Sequence, residues 1–167
     1  MMGAGKSSVG PALARRLERR FVDLDAEIER VTGKRIALIF ETEGEAGFRN
    51  REQQAISRWA GRQVVVALGG GAIAQPGAVA RLRASGVVVY LRASVATLLA
   101  RLGDCEDRPM LRGLTGDDRL RRVSQLLDER RHAYESAAVT VDVDGLTPEG
   151  VATRAAEALK ALGVVSA

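Results

Sequence analysis

Apolar residues along the chain recur at helical spacing in some segments and form continuous runs in others. Val9, Leu13 and Leu17 recur every four residues, which predicts a helix over residues 7–20. Residues 64–68 and 87–91 are continuous apolar runs of strand length, typical of strands that are buried on both faces. Helical and strand segments therefore alternate in the order expected of an α/β protein.

The remaining segments continue this alternation. We predict short strands at residues 21–23 and 139–143, and a helix that begins after a Ser94 cap. Further helices are predicted at residues 25–32, 36–59, 77–85, 117–137 and 147–162, the second of them broken near Glu43 and Gly44. The pattern predicts a doubly wound parallel sheet with helices on both faces. Without a repeat or a composition shift, residues 1–167 are interpreted as a single domain.

A phosphate-binding loop is predicted at the start of the first helix. Its glycines allow backbone N–H groups to approach phosphate oxygens, and the helix dipole favours the negative charge. A lysine in the loop can reach the β- and γ-phosphates of ATP, and a following serine can bind Mg²⁺. A plain glycine-rich turn is the alternative interpretation. The loop residues expected to bind ATP are Gly3, Ala4, Gly5, Lys6, Ser7 and Ser8.

The loop motif is incomplete at its start. The full motif has an earlier glycine and a preceding apolar strand, and both would lie before Met1. In a doubly wound sheet that strand is usually central, so its neighbours would lose a hydrogen-bonding partner. We therefore expect the natural protein to begin upstream, with the first strand missing from this chain. A chain that truly starts at Met1 is expected to be poorly stable and to bind ATP weakly, and a native mass matching residues 1–167 would contradict the upstream start.

Composition limits the classes of protein that fit. The chain has 46% hydrophobic and 28% charged residues, and no apolar run approaches the roughly 20 residues that span a bilayer. No signal peptide is visible, and Cys105 is the only cysteine, which favours a reducing cytoplasm. The net charge of +4 is carried by arginines spread over many segments. This distribution favours small anionic ligands over nucleic acid. We also expect a monomer with no membrane partner.

Two polar motifs follow the first helix. Asp23 and Asp25 lie two residues apart at the end of a predicted strand, where one carboxylate can serve a metal ion and the other a substrate hydroxyl. The alternative is that Asp25 only caps the next helix. Arg49 and Glu52 are one helical turn apart in the segment Phe-Arg-Asn-Arg-Glu, so the glutamate could orient the arginine towards a carboxylate. The alternative is a solvated, charged helix face.

Three further motifs follow in the second half of the chain. Three glycines, Gly69, Gly70 and Gly71, end a predicted buried strand, where ligands of open α/β sheets bind. A polar segment at about residues 103–116 contains Asp-Arg-Pro-Met-Leu, with Arg108 as its arginine, and is interpreted as a mobile loop. The long charged helix ends in Arg131-His132-Ala133-Tyr134.

In this order behind a P-loop, the motifs together resemble the shikimate kinase family over nearly the whole chain. The resemblance implies a P-loop NTPase fold of the nucleoside-monophosphate-kinase type. It also implies transfer of the γ-phosphate of ATP to the 3-hydroxyl of shikimate, a step of aromatic amino-acid biosynthesis. Substrate-binding helices are implied at about residues 25–59, and a lid at about residues 103–116.

The resemblance also assigns roles to individual residues. It implies Mg²⁺ near Ser7 and Asp23, nucleotide contacts from Arg101, and a shikimate site formed by Asp25, Arg49, Gly70 and Arg131. The residues implied to act in catalysis are Lys6, Asp25 and Arg108, the last by closing over the γ-phosphate. Two alternatives remain: another small-metabolite kinase resembling gluconate kinase, and a non-catalytic nucleotide- or nucleic-acid-binding domain, for which the pI of about 9.8 is the support.

Overall fold

The computed structural model describes residues 1–103 and 110–165, and strands and helices alternate along them. The strands are β1 (Arg20–Asp23), β2 (Val64–Ala67), β3 (Val89–Arg92) and β4 (Val139–Asp142). The helices are α1 (Lys6–Arg16), α2 (Leu24–Thr32), α3 (Ile36–Trp59), α4 (Ala78–Ser85), α5 (Val95–Leu102), α6 (Gly116–Glu135) and α7 (Pro148–Ala161), with a short 3-10 helix at Ala72–Ala74. The α/β class is therefore confirmed, and the element boundaries lie within a few residues of those predicted.

The strands form two parallel pairs that are not hydrogen-bonded to each other. β1 pairs with β2, with Asp23 opposite Ala67, and β3 pairs with β4, with Arg92 opposite Asp142. This loss of pairing is expected from the sequence, because the strand predicted upstream would be central in the sheet. No strand of the described chain lies between β2 and β3. Met1 and Tyr134 line a cavity there together with residues that follow β2 and residues of β3. The upstream strand stays a prediction.

The helices α2 and α3 have a small hydrophobic core of their own. Its buried residues are Leu24, Ile28, Ile39, Phe48 and Ala55. The larger core is separate and joins α1, α4, α5, α6 and α7 with β2, β3 and β4. Burial of a large aliphatic or aromatic side chain contributes about 1.5–3 kcal/mol each. Ile56 and Leu68 are partly buried and pack against both cores, so they connect the two. That α2 and α3 bind the substrate stays a prediction.

The break predicted in the third helix is confirmed. Gly44 has φ 69° and ψ −177°, a conformation that side-chain-bearing residues rarely adopt, and it divides α3 into two helical halves. Glu43 before the break accepts hydrogen bonds from Arg51 after it, at 2.6 and 2.8 Å. Eight residues of straight helix would separate the two Cα atoms by about 12 Å along the axis, so the kink favours this ion pair.

Two helix caps have the expected side chains. Ser94 accepts a hydrogen bond from the Thr97 N–H at the start of α5, as predicted, and Thr147 caps α7 in the same way.

No helix among residues 1–103 and 110–165 is both long and apolar enough to cross a bilayer.

Candidate active site

The glycine-rich loop has the conformation that its sequence predicts. Gly3 and Gly5 have φ angles of 74° and 91°, which favour glycine, and α1 begins at Lys6 directly after them. A β-carbon on Gly3 would also lie 3.1 Å from the Leu98 carbonyl oxygen. The first N–H groups of α1 therefore follow a loop that only glycine can form so tightly, and they suit a phosphate.

Two cationic side chains lie against this loop. The Lys6 Nζ donates a hydrogen bond to the Met1 carbonyl oxygen at 2.8 Å, so the side chain folds back across the loop. The Arg101 Nη1 lies 3.5 Å from the position that a β-carbon on Gly5 would occupy. The structure thus places two of the predicted nucleotide-binding side chains, Lys6 and Arg101, at the loop.

Ser7 and Asp23 form a polar pair beside the loop. The Ser7 hydroxyl donates to Asp23 Oδ2 at 2.8 Å. Asp23 Oδ1 accepts the backbone N–H groups of Asp25 and Ala26 at 3.1 and 3.4 Å. Asp23, and not Asp25, is therefore the cap of α2, which corrects the alternative interpretation of Asp25.

The oxygen atoms of Ser7 and Asp23 are suitable ligands for Mg²⁺. The ion prefers oxygen ligands and is usually held by one or two carboxylates together with substrate phosphates. Ser7 and Asp23 supply one hydroxyl and one carboxylate at the phosphate loop. Within the described residues, no group of three or more His, Cys, Asp or Glu side chains could hold a metal by itself. Binding at Ser7 and Asp23 would therefore depend on the phosphates of the nucleotide.

Two carboxylates converge on the glycine turn after β2. A β-carbon on Gly69 would lie 2.4 Å from Glu52 Oε1 and 3.3 Å from Asp25 Oδ1. The Glu52 side chain is only 3% exposed, and its Oε1 accepts no hydrogen bond from the described part of the chain. Burial raises the pKa of Glu52, and the ion pair with Arg49 only partly opposes this rise. Asp25 is thus next to a second, more deeply buried carboxylate.

Arg49 is held between two glutamates of α3. Its Nη1 donates to Glu52 Oε2 at 2.9 Å, and its Nη2 donates to Glu45 Oε1 at 3.0 Å. Burial by itself would lower the pKa of Arg49, but the charge and hydrogen bonds of the two glutamates raise it. The guanidinium lies against Gly71, where a β-carbon would be 2.4 Å from Nη2. Arg49 therefore remains charged and lies beside the glycine turn.

A second arginine reaches the same turn from α6. Arg130 is 8% exposed, and its Nη1 donates to the Gly70 carbonyl oxygen at 3.3 Å. The Tyr134 hydroxyl donates to the same oxygen at 2.5 Å. Gly70 also lies against the start of the phosphate loop, since a β-carbon on it would be 3.2 Å from the Met2 backbone nitrogen. The glycine turn thus connects the two arginines with the loop.

Comparison with known proteins shows the family. The sequence model of the shikimate kinase family matches residues 2–160. The chain belongs to the shikimate kinase family. It is 47% identical over 161 residues to shikimate kinase of Halorhodospira halophila, which covers 95% of this chain and 89% of the relative. It is 45% identical over 148 residues to shikimate kinase of Chlorobium chlorochromatii, with 85% and 78% covered.

Solved structures of the shikimate kinase family share the fold. Shikimate kinase from Acinetobacter baumannii in complex with shikimate has a TM-score of 0.89 and 37% identity, and the match covers 96% of this chain and 89% of that one. Shikimate kinase from Aquifex aeolicus has a TM-score of 0.84 and 31% identity over 98% of this chain and 95% of that one. The P-loop fold and the assignment as an ATP-dependent kinase are thereby confirmed.

One residue that the family resemblance suggested does not reach the site. Arg131 lies on the outer side of α6 with a side chain that is 59% exposed, and it pairs with Asp128. Its neighbour Arg130 lies at the glycine turn instead. Both arginines are within one helical turn of Tyr134, so the spacing along the sequence did not separate them. Arg108 lies outside the described residues, and its role stays a prediction.

Two residues at the site are not among those that the sequence predicted: Arg130, which was passed over in favour of Arg131 on the spacing to Tyr134, and Glu45. Arg130 is four residues before Tyr134, the spacing that places both on one helix face, and this was the available signal. Glu45 is four residues before Arg49, a spacing that favours an ion pair. Neither signal is specific in a helix rich in charge, because most such pairs are solvated.

Gly71→Ala tests the close contact between the glycine turn and Arg49. Gly71 has φ −99° and ψ −8°, which alanine adopts without strain, so the backbone should tolerate the change. The new methyl group would lie 2.4 Å from Arg49 Nη2 and 2.9 Å from Cζ, and the guanidinium must move. We expect the KM for shikimate to rise by roughly tenfold, since misplacement of a positioned arginine by about 1 Å is costly.

Steady-state ADP release checks this expectation. Gly86→Ala is the matched control, because a β-carbon there would meet nothing within 4 Å. An unchanged KM for shikimate in a folded Gly71→Ala protein would show that Arg49 does not need its present position.

Proposed function

We propose that this protein transfers the γ-phosphate of ATP to the 3-hydroxyl of shikimate, with shikimate 3-phosphate and ADP as products. The observation that carries the proposal is the contact between the phosphate loop and the glycine turn. Lys6 donates to the Met1 carbonyl, and Gly70 lies against the Met1–Met2 backbone. A phosphate held by the loop and an acid held by Arg49 would therefore be close to each other.

The loop residues would hold the phosphates. Lys6 and the first N–H groups of α1 offer positive charge and donors to the β- and γ-phosphates, and Arg101 lies beside them. Ser7 and Asp23 would hold Mg²⁺, which neutralises phosphate charge when it is bound. The resemblance assigns Arg108 to the γ-phosphate in the transition state, a role that stays a proposal.

The acceptor would bind at the glycine turn. Arg49 and Arg130 both reach this turn, and two arginines suit one carboxylate by bidentate hydrogen bonds. We assign the second carboxylate contact to Arg130 in place of Arg131. Asp25 is next to the same turn and would orient the attacking hydroxyl and accept its proton. Little covalent chemistry is left for the protein, whose contribution is alignment and charge neutralisation.

The setting in the cell is also a proposal. The single cysteine supports a reducing compartment, and we propose a cytoplasmic monomer whose ligands are shikimate and ATP, with no nucleic-acid or membrane partner.

ADP release from Mg-ATP, with and without shikimate, tests the proposed reaction. The protein is first shown to be folded by circular dichroism. We expect turnover that depends strongly on shikimate and that gluconate does not support. A folded protein that releases ADP with gluconate and not with shikimate would move the assignment to a gluconate-kinase-like enzyme. Release that neither acid stimulates, together with steeply salt-dependent binding of DNA or RNA, would favour a nucleotide- or nucleic-acid-binding domain.

A further inference from the structure

The hydrogen bonds of Arg49 to Glu45 and Glu52 use three of the N–H donors of its guanidinium. A guanidinium has five N–H donors: one on Nε and two on each terminal nitrogen. Glu45 Oε1 accepts from Nε at 3.3 Å and from Nη2 at 3.0 Å, so it occupies the side edge. Glu52 Oε2 accepts one hydrogen of Nη1 at 2.9 Å. Among the described residues, one hydrogen on each terminal nitrogen then remains for a ligand, and a carboxylate is the acceptor that a guanidinium prefers.

The two glutamates differ sharply in burial, so removal of each would have a different effect on the fold. The Glu52 side chain is 3% exposed and Arg49 is 14% exposed, whereas 54% of the Glu45 side chain is exposed. Removal of Glu52 would leave a largely buried cation without its buried partner and would disturb the fold. Removal of Glu45 changes only the solvent side of Arg49. The role of Glu45 can therefore be separated from folding.

The position of Glu45 is set by the break in α3. Glu45 is the first residue after Gly44, so it begins the second helical half, one turn before Arg49. The break is held by Glu43, which binds Arg51 after it and also Lys34 at 3.3 Å. These contacts attach the start of the second half to the loop before α3. The backbone that carries Glu45 is therefore held in place relative to Arg49.

We propose that Glu45 is a positioning residue for the acid substrate. It holds the side edge of Arg49, so that the two terminal nitrogens face the carboxylate at the glycine turn. Without it, the arginine regains rotamer freedom that must be lost again when the substrate binds. The proposal rests on the proposed function, because it gives Arg49 a carboxylate ligand.

Glu45→Ala is expected to raise the KM for shikimate by about three- to tenfold, the cost of ordering one long side chain on binding. The kcat and the KM for ATP should change by less than about twofold, because Glu45 touches neither the loop nor Asp25 among the described contacts. Glu45→Gln retains an oxygen that can accept from Arg49 and should recover part of the loss. Glu41→Ala is the matched control, since Glu41 is exposed on the same helix and is outside the ion pairs of the described residues.

The measurement is steady-state ADP release against shikimate and against ATP, with the urea unfolding midpoint of each variant. A higher shikimate KM with unchanged kcat, and partial recovery in Glu45→Gln, supports the proposal. A lower shikimate KM would show that Glu45 competes with the substrate for Arg49, and an unchanged KM would show that Arg49 is positioned without it; either overturns the proposal. Absence of shikimate-dependent turnover in the unaltered protein would instead contradict the proposed function itself.

Discussion

Asp25→Asn is expected to lower kcat by about 10²–10⁴-fold, the usual contribution of a positioned general base. The asparagine keeps the size of the side chain and one acceptor oxygen, so the substrate can still bind. It cannot take the proton of the attacking hydroxyl. Asp25 does not cap α2, since Asp23 accepts the N–H groups there, so the fold does not depend on this carboxylate as a cap. The KM for ATP should therefore change little.

Turnover at saturating shikimate and ATP is the measurement for Asp25. Asp128→Asn is the control, because it removes a carboxylate that is 64% exposed and paired only on the protein surface. Surface pairs of this kind contribute little. A kcat within tenfold of that of the unaltered enzyme would show that Asp25 does not accept the proton and only orients the attacking hydroxyl.

Arg130→Ala is expected to raise the KM for shikimate by roughly 100-fold. Arg130 is proposed to pair with the substrate carboxylate in a buried site, and truncation of one partner of such a charge pair is costly. Arg130 is 8% exposed and lies at Gly70, next to the turn that Arg49 also reaches. The loss should appear in the affinity for the acid, since two arginines hold its carboxylate better than one. The KM for ATP should change much less.

Arg131→Ala is the matched control for this prediction. It removes the same charge from the next position of the same helix, but from an exposed pair with Asp128. Calorimetric titration with shikimate, together with kinetics, separates binding from turnover. If Arg131→Ala weakened shikimate binding and Arg130→Ala did not, the assignment drawn from burial would be wrong and the one drawn from the motif would be right.

Much of the fold follows from local pattern. The apolar runs became β2 and β3, Ser94 caps α5, and Gly44 breaks α3 as predicted. These features depend on residues close together in the sequence, through backbone conformation, capping and the period of the apolar positions. The loop around Lys6 belongs to the same group, because its glycines and the start of a helix are adjacent in the chain. Motif order then identified the family.

The sequence by itself therefore determined the order of elements, the phosphate loop and the family, because all of these depend on residues that are close together in the sequence. The tertiary structure alone decided which of Arg130 and Arg131 reaches Gly70, because both spacings to Tyr134 are compatible with a helix and only burial separates them. It also decided that Glu52 and Asp25 both lie against Gly69. Such contacts join residues far apart in the chain, and each depends on the packing of whole elements, which no local pattern specifies.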